Sequence, residues 1–370
     1  MLSYIIWNAN PEIFSIGSFS LRWYGLFFAL GFLLSQQILY YIYRKEGKSE
    51  KDVDTLTIYM VLATIVGARL GHIFFYQPEL LWENPLGVFL PFEFTPEFRF
   101  TGLQGLASHG AAIGILFALW LYSRKKKAGQ NYLQVLDRIV IVVALTGCLI
   151  RLGNFFNSEI IGIPTDAGVG VVFVGRVEEA LMRNDMGENP VESISIVKDK
   201  ELPEGMNGRV PINIYLFFKE GTEQETASLF CSTNTKYYLT RLYEFVDEPP
   251  RTDLQFELYQ EKTGTLVAKV NTFGISRHPA QLYESISCLL LFAFLFWIWN
   301  REKEKIASGK IFGLFMVILW TLRFVYEFLK ENQVSFEDNL TLNMGQILSI
   351  PMVIVGIAVL IWSKRNATKT

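Results

Sequence analysis

Charge is what this chain has least of. Only 19% of its 370 residues are Asp, Glu, Lys or Arg, against roughly 25% in ordinary globular proteins. With 51% hydrophobic residues and 15% aromatics, the composition points to a polytopic membrane protein. A basic excess is also missing. The formal net charge is -2, which argues against a nucleic-acid partner, because phosphates need cations to neutralise them. Cysteine is scarce: Cys148 and Cys288 lie in apolar runs and Cys231 stands alone in a polar region. Neither a disulfide framework nor a CxxC metal site can be built from them. The stretch Met1 to Asn10 lacks the basic n-region of a cleavable signal peptide. HExxH, GxSxG and P-loop motifs are all absent, which leaves zinc proteolysis, serine hydrolysis and nucleotide hydrolysis without support.

Long apolar runs are present instead. Seven segments of about 20 residues, the length that crosses ~30 Å of hydrocarbon, are expected at 20–43, 54–76, 106–123, 133–155, 279–300, 310–330 and 345–363. Basic residues collect in alternate connections: Arg44, Lys45, Lys48 and Lys51; Arg124 to Lys127; Arg301, Lys303, Lys305 and Lys310; and Lys364, Arg365 and Lys369. The positive-inside rule puts those connections in the cytoplasm. The N-terminus is then outside and the C-terminus cytoplasmic.

The expected fold class is an all-α polytopic membrane protein with a small β-rich extracytoplasmic insertion. Its divisions are 1–160, with four spans and an outer loop at 77–105; 161–276, the insertion, with its β-rich core at about 177–270; and 277–370, with three spans and a cytoplasmic tail. Within the insertion, Ile212 to Phe218 and Leu254 to Tyr259 read as strands, and Glu261-Lys262-Thr263-Gly264 as a hairpin turn. Phe residues and Trp82 in the 77–105 loop suit an interfacial belt.

Ionisable residues inside spans are expensive and usually face a cavity. Here they fall at one end of the segments. Arg22 and Tyr24 open the first segment; Arg69 and His72 close the second; Ser108 and His109 open the third. Arg151, Asn154, Asn157 and Glu159 close the fourth. Arg277, His278, Gln281, Tyr283 and Glu284 open the fifth; Arg323, Tyr326, Glu327 and Lys330 close the sixth; Gln346 begins the seventh. Any one of these reads equally well as a helix-end residue snorkelling to headgroups, and Arg22 and Lys330 fit that description. A lone interfacial histidine is more often structural than catalytic. Five arginines, three histidines and several amides at one level of six segments are hard to explain that way. Gly67, Gly71, Gly110, Gly114 and Gly153 lie beside them and permit close approach of helices or of a ligand. Arginine forks suit phosphate, and histidine moves protons near neutral pH. The pattern therefore suits chemistry on a phospholipid headgroup at the outer surface. A phospholipid transporter or flippase is the alternative, although a transporter needs a polar path to both faces. An intramembrane protease is disfavoured by the missing nucleophile motif. The histidines lie on different helices, so spacing leaves a metal site open as a minor option; without a clear carboxylate or thiolate partner, no metal and no cofactor are expected.

The chain resembles the prolipoprotein diacylglyceryl transferase family over nearly its whole length, except roughly 177–270. The matching pieces are Leu21 to Gly25, Gly67 to Gly71, Ser108 to Gly114, Arg151 to Glu159, Pro164 to Asp166, Gly170 to Phe173, Arg277 to Glu284, Arg323 with Glu327, and Met344 to Ser349. Arg151-Leu152-Gly153-Asn154-Phe155-Phe156-Asn157 carries the family's signature. The resemblance implies transfer of the diacylglyceryl group of phosphatidylglycerol to the lipobox cysteine thiol of a prolipoprotein. A thioether forms and glycerol phosphate leaves. It implies a bacterial inner-membrane enzyme with an outward-facing site. Carried over by position, His109, Arg151, Arg323 and Tyr24 are the candidate catalytic residues. Arg151, Asn154, Arg69, Arg323, Glu159, Gly162, His278 and Glu284 are the candidate phosphatidylglycerol-binding residues. His109 is the candidate base toward the thiol. Alternatively it only shapes the lipid site, and an arginine lowers the thiol pKa. The chain departs from the family's usual glycines at Ile150, Ser158 and Ala68, and by its long insertion.

Overall fold

The computed structural model describes residues 4–16, 19–83, 92–93, 99–100, 107–183, 185, 187–200, 205–331 and 341–367. In chain order the elements are β1 (Ile5–Trp7), β2 (Glu12–Ile16), β3 (Phe19–Arg22), α1 (Trp23–Lys45), α2 (Glu50–Tyr76), α3 (Leu80–Glu83), β4 (Phe92–Glu93), β5 (Arg99–Phe100), α4 (Ser108–Ser123) and α5 (Tyr132–Phe156). They continue with β6 (Val171–Phe173), α6 (Gly175–Leu181), β7 (Val191–Lys198), β8 (Arg209–Phe218), α7 (Gln224–Phe230), α8 (Lys236–Arg241), β9 (Phe256–Gln260), β10 (Leu266–Arg277), α9 (Ala280–Glu302), α10 (Lys310–Tyr326) and α11 (Met344–Ala367). Much of the aromatic loop expected at 77–105 lies outside the described residues.

Among the described residues, six helices are long and apolar enough to cross a membrane: α1, α2, α5, α9, α10 and α11. The third apolar segment becomes α4, with 16 residues; at 1.5 Å rise it is about 24 Å long. Large apolar side chains such as Leu33, Ile58, Leu62, Phe74, Leu290 and Ile354 point outward from these helices. Water penalises such a surface, whereas lipid tails do not. Pro351 sits inside α11, a placement that membrane helices tolerate.

The chain divides into two compact units. The first comprises Met1–Ala29, Cys148–Ser287 and Leu322–Ile347; the second comprises Leu30–Gly147, Cys288–Thr321 and Leu348–Thr370. The first unit is built on a six-stranded sheet ordered β1-β6-β10-β8-β7, with β9 also on β10. β10 is its spine, pairing antiparallel with β6, β8 and β9. Alternate β8 residues Ile212, Ile214, Leu216 and Phe218 are fully buried, as the period of two requires for a face packed on a core. The strand expected at 212–218 lies inside β8, and the one expected at 254–259 overlaps β9. β1 joins parallel to β6, pairing Ile5 with Val171 and Trp7 with Phe173. The first strand of the chain thus closes the edge of a sheet that begins far along the sequence.

In the second unit, α2 and α4 pack closely through glycines. A Cβ on Gly110 would stand 2.1 Å from the Gly67 carbonyl oxygen and 2.6 Å from the Gly71 Cα. Small residues at a helix crossing are the usual means of backbone approach in membranes. This unit also holds a polar cluster near the ends that the sequence assigns to basic loops, where little carboxylate clustering is expected. Glu46 receives two N–H groups of buried Arg138, together with Trp299 Nε1 at 2.7 Å and Lys48 Nζ at 2.6 Å. Asp137 is fully buried and accepts the backbone N–H groups of Gly309 at 2.7 Å and Phe312 at 2.8 Å. It supplies the acceptor that the first turn of α10 needs.

Candidate active site

The signature stretch closes α5 and turns directly into the sheet unit. Its Gly153 lies against the first turn of α1, where a Cβ would stand 3.0 Å from Tyr24 Cδ2 and 3.1 Å from its Cα. Arg151 is half-buried. Its Nε pairs with Glu284 on the first turns of α9, and its Nη1 donates to Asn154 Oδ1 at 3.5 Å. Asn154, only 6% exposed, donates onward to Glu159 Oε2 at 3.5 Å. Glu159 also receives Asn157 at 3.4 Å and Arg176 at 3.3 Å, and Gln281 Nε2 holds its backbone carbonyl at 2.6 Å. Within this unit, therefore, Tyr24, Arg151, Asn154, Glu159 and Glu284 occupy one connected patch.

A second strand of the network comes from the end of α10. Arg323 stands 3.7 Å from Glu327 one helical turn on. Lys330 Nζ lies 3.2 Å from Glu327 and also pairs with Glu284. Backbone geometry sets this up. After α10 the chain tightens into one 3₁₀ turn, Glu327–Leu329, and then forms a bridge with Gly162. The Ile163 N–H donates to the Leu329 carbonyl at 2.9 Å, and the Gly162 N–H donates to the His278 carbonyl at 3.1 Å. Only glycine fits at 162, since a Cβ would stand 2.5 Å from the His278 oxygen and 2.8 Å from that of Leu329. Gly162 and His278 thus join the site through the backbone that aligns it, while the His278 ring meets the Tyr283 hydroxyl at 3.2 Å.

Lys330 corrects the reading of it as a snorkelling residue. It is 7% exposed and ion-paired to two carboxylates, whereas a snorkelling lysine keeps its ammonium in water. Arg22 does behave as a surface residue, pairing at 3.1 Å with Glu12 and 54% exposed. Sequence reasoning also passed over Arg176 as a partner of Glu159. Its only signal was an isolated arginine in the insertion.

Arg69 and His109 belong to the second unit, on α2 and α4. There the Ala107 N–H donates to the Ala68 carbonyl at 2.9 Å, tying the entry of α4 to α2 beside both residues. The His109 side chain is exposed, and Arg69 is half-buried. His72 Nε2 meets Gln77 Oε1 at 3.3 Å. The chain's three cysteines form no disulfide and are buried. Burial pushes the Cys231 thiol up to about 12, so it stays protonated near neutral pH.

Apolar helices of spanning length, and a partly buried network of arginines, lysine and carboxylates at helix ends, define a multi-pass membrane protein with a polar site suited to an anionic group. The chain belongs to the prolipoprotein diacylglyceryl transferase family, whose model matches residues 11–362, and it is accordingly a transferase. Three similar curated proteins are each named phosphatidylglycerol–prolipoprotein diacylglyceryl transferase. The Bacteroides fragilis protein is 33% identical over 359 residues, covering 96% of this chain and 94% of that protein. The Chloroherpeton thalassium protein is 31% identical, covering 99% and 96%. The Tolumonas auensis protein is 30% identical, covering 99% and 100%.

Proposed function

We propose that this chain transfers the diacylglyceryl group of phosphatidylglycerol to the thiol of a lipobox cysteine in a prolipoprotein, at the outer face of a bacterial inner membrane. This would be the first step of lipoprotein maturation. The observation that carries the reading is Arg151, held half-buried between Glu284 and Asn154 where an apolar helix ends. A guanidinium so oriented offers a planar pair of donors to a phosphate while the acyl chains stay among apolar helices.

In the reaction the cysteine sulfur attacks the glycerol carbon that bears the phosphate oxygen. A C–S bond forms. The C–O bond breaks and its electron pair goes to the phosphate oxygen, so glycerol phosphate leaves with one more negative charge than the phosphodiester had. Arg151 and Arg323 would stabilise that added charge, and Asn154 would orient the headgroup. Arg69, Glu159, Gly162, His278 and Glu284 complete the binding residues, and Tyr24 borders the reacting centre. The thiolate is the nucleophile, so the thiol must lose its proton, and His109 is the proposed acceptor. The topology that goes with this reading has seven spans, α4 being the short one, with the basic connections in the cytoplasm.

The test is a reconstitution. Purified protein in detergent is mixed with phosphatidylglycerol and a lipobox peptide. The expected products are a thioether-linked diacylglyceryl peptide and an equimolar amount of glycerol phosphate. Their joint absence would refute the reading.

A further inference from the structure

The two arginines proposed to grip phosphate are each partnered by a carboxylate, Arg151 by Glu284 and Arg323 by Glu327. Two such pairs alone would be formally neutral, and each carboxylate would compete with a phosphate for its arginine. Lys330 changes that balance. Its side chain is 3% exposed, its ammonium pairs with Glu284 Oε1, and it stands 3.2 Å from Glu327 Oε1. One compact cation therefore serves both carboxylates. Of the groups joined by these contacts, three are cations and two are anions, which leaves one positive charge in excess. A phosphodiester carries one negative charge. Burial makes the match matter, since charges removed from water are weakly screened.

We propose that Lys330 is a positioning residue: it occupies Glu284 and Glu327, and so leaves Arg151 and Arg323 a net attraction for the phosphodiester of the lipid. The inference rests on the reading of those arginines as the phosphate grip. The ε-ammonium suits the role because it is a point charge with three donors, able to meet two carboxylates at once. The antiparallel bridge between Gly162 and Lys330 fixes where it emerges.

The experiment measures binding of two lipids to the full chain in neutral-detergent micelles: phosphatidylglycerol, and diacylglycerol with no phosphate. Lys330→Met is expected to weaken phosphatidylglycerol binding about tenfold and to leave diacylglycerol binding unchanged. Lys330→Met with Glu327→Gln restores the excess cation and should recover most of the loss. Lys330→Arg, which keeps the charge, should bind phosphatidylglycerol better than Lys330→Met. Equal loss of both lipids would show a merely structural role and overturn the proposal. So would undiminished phosphatidylglycerol binding in Lys330→Met, or a double variant no better than the single one. Because the readout is binding, a wild-type chain that bound phosphatidylglycerol but transferred nothing would sink the transfer reading and leave this one standing.

Discussion

Arg151 illustrates how a single residue gains meaning from its partners. Lysine at this position keeps the charge but loses the fork that reaches Glu284 and Asn154 together. Charge-assisted hydrogen bonds are worth roughly 1.5–3 kcal/mol, so Arg151→Lys is expected to lower kcat/KM about 10- to 100-fold in the reconstituted transfer assay. His109→Gln tests the base assignment in the same assay, and near-full activity would remove histidine from proton transfer. Ser158 presents a different residue-scale problem. It stands where the family usually has glycine, and its backbone is left-handed at φ 52°. That conformation costs a residue with a Cβ about 1–2 kcal/mol. Ser158→Gly should therefore raise the melting temperature by about 2 °C, as read by thermal unfolding in detergent.

At the scale of elements, α2 and α4 depend on their glycines. Gly110→Ala puts a methyl 2.1 Å from a carbonyl oxygen. The helices must separate, at a cost of about 1–3 kcal/mol. Because His109 and Arg69 ride on these two helices, transfer activity and thermal stability should fall together. The connection after α1 carries its own expectation. Burial alone raises the Glu46 carboxyl, but Arg138, Lys48 and Trp299 outweigh burial and hold it below its ordinary value. A depressed carboxyl contributes stability above the ordinary carboxylate range and loses it as pH falls below that range toward its lower folded-state pKa. Stability should therefore decline below about pH 4.3, and Glu46→Gln should flatten that decline while lowering stability at neutral pH. Melting curves across pH would settle it, and an unchanged acid limb in Glu46→Gln would count against this account. Much of this level was legible in sequence. The spans follow from apolar runs, and β8 from its alternating Ile212, Ile214 and Leu216. The pairing of β1 with β6 was not, because a three-residue strand gives no signal until its partner, over 160 residues away, is in place.

At the scale of the whole molecule, orientation is open to direct measurement. The native cysteines are buried, so single exposed cysteines report sidedness cleanly. Lys262→Cys, in the turn after β9, should react with a membrane-impermeant maleimide in intact cells. Lys126→Cys, in a basic connection, should react only after permeabilisation. The reverse pattern would invert the proposed topology and place the transfer site on the wrong side for prolipoproteins.

The sequence by itself determined the membrane character, the apolar runs that form α1, α2, α5, α9, α10 and α11, the bias of charge between alternate connections and the family. Each of these depends on local sums: hydrophobic transfer is nearly additive along a run, loop charge is counted in place, and motifs are contiguous. It also named Arg151, Asn154, Glu159 and Glu284, because polar groups that interrupt apolar runs stand out. Only the tertiary structure decided which carboxylate each cation meets. Lys330 reads in sequence as a helix-end lysine, yet it is buried between Glu284 and Glu327. Arg138 and Asp137 are hidden in the same way within an apolar run. The energy of an ion pair depends on the distance and dielectric between groups far apart in the chain, and the fold alone supplies both.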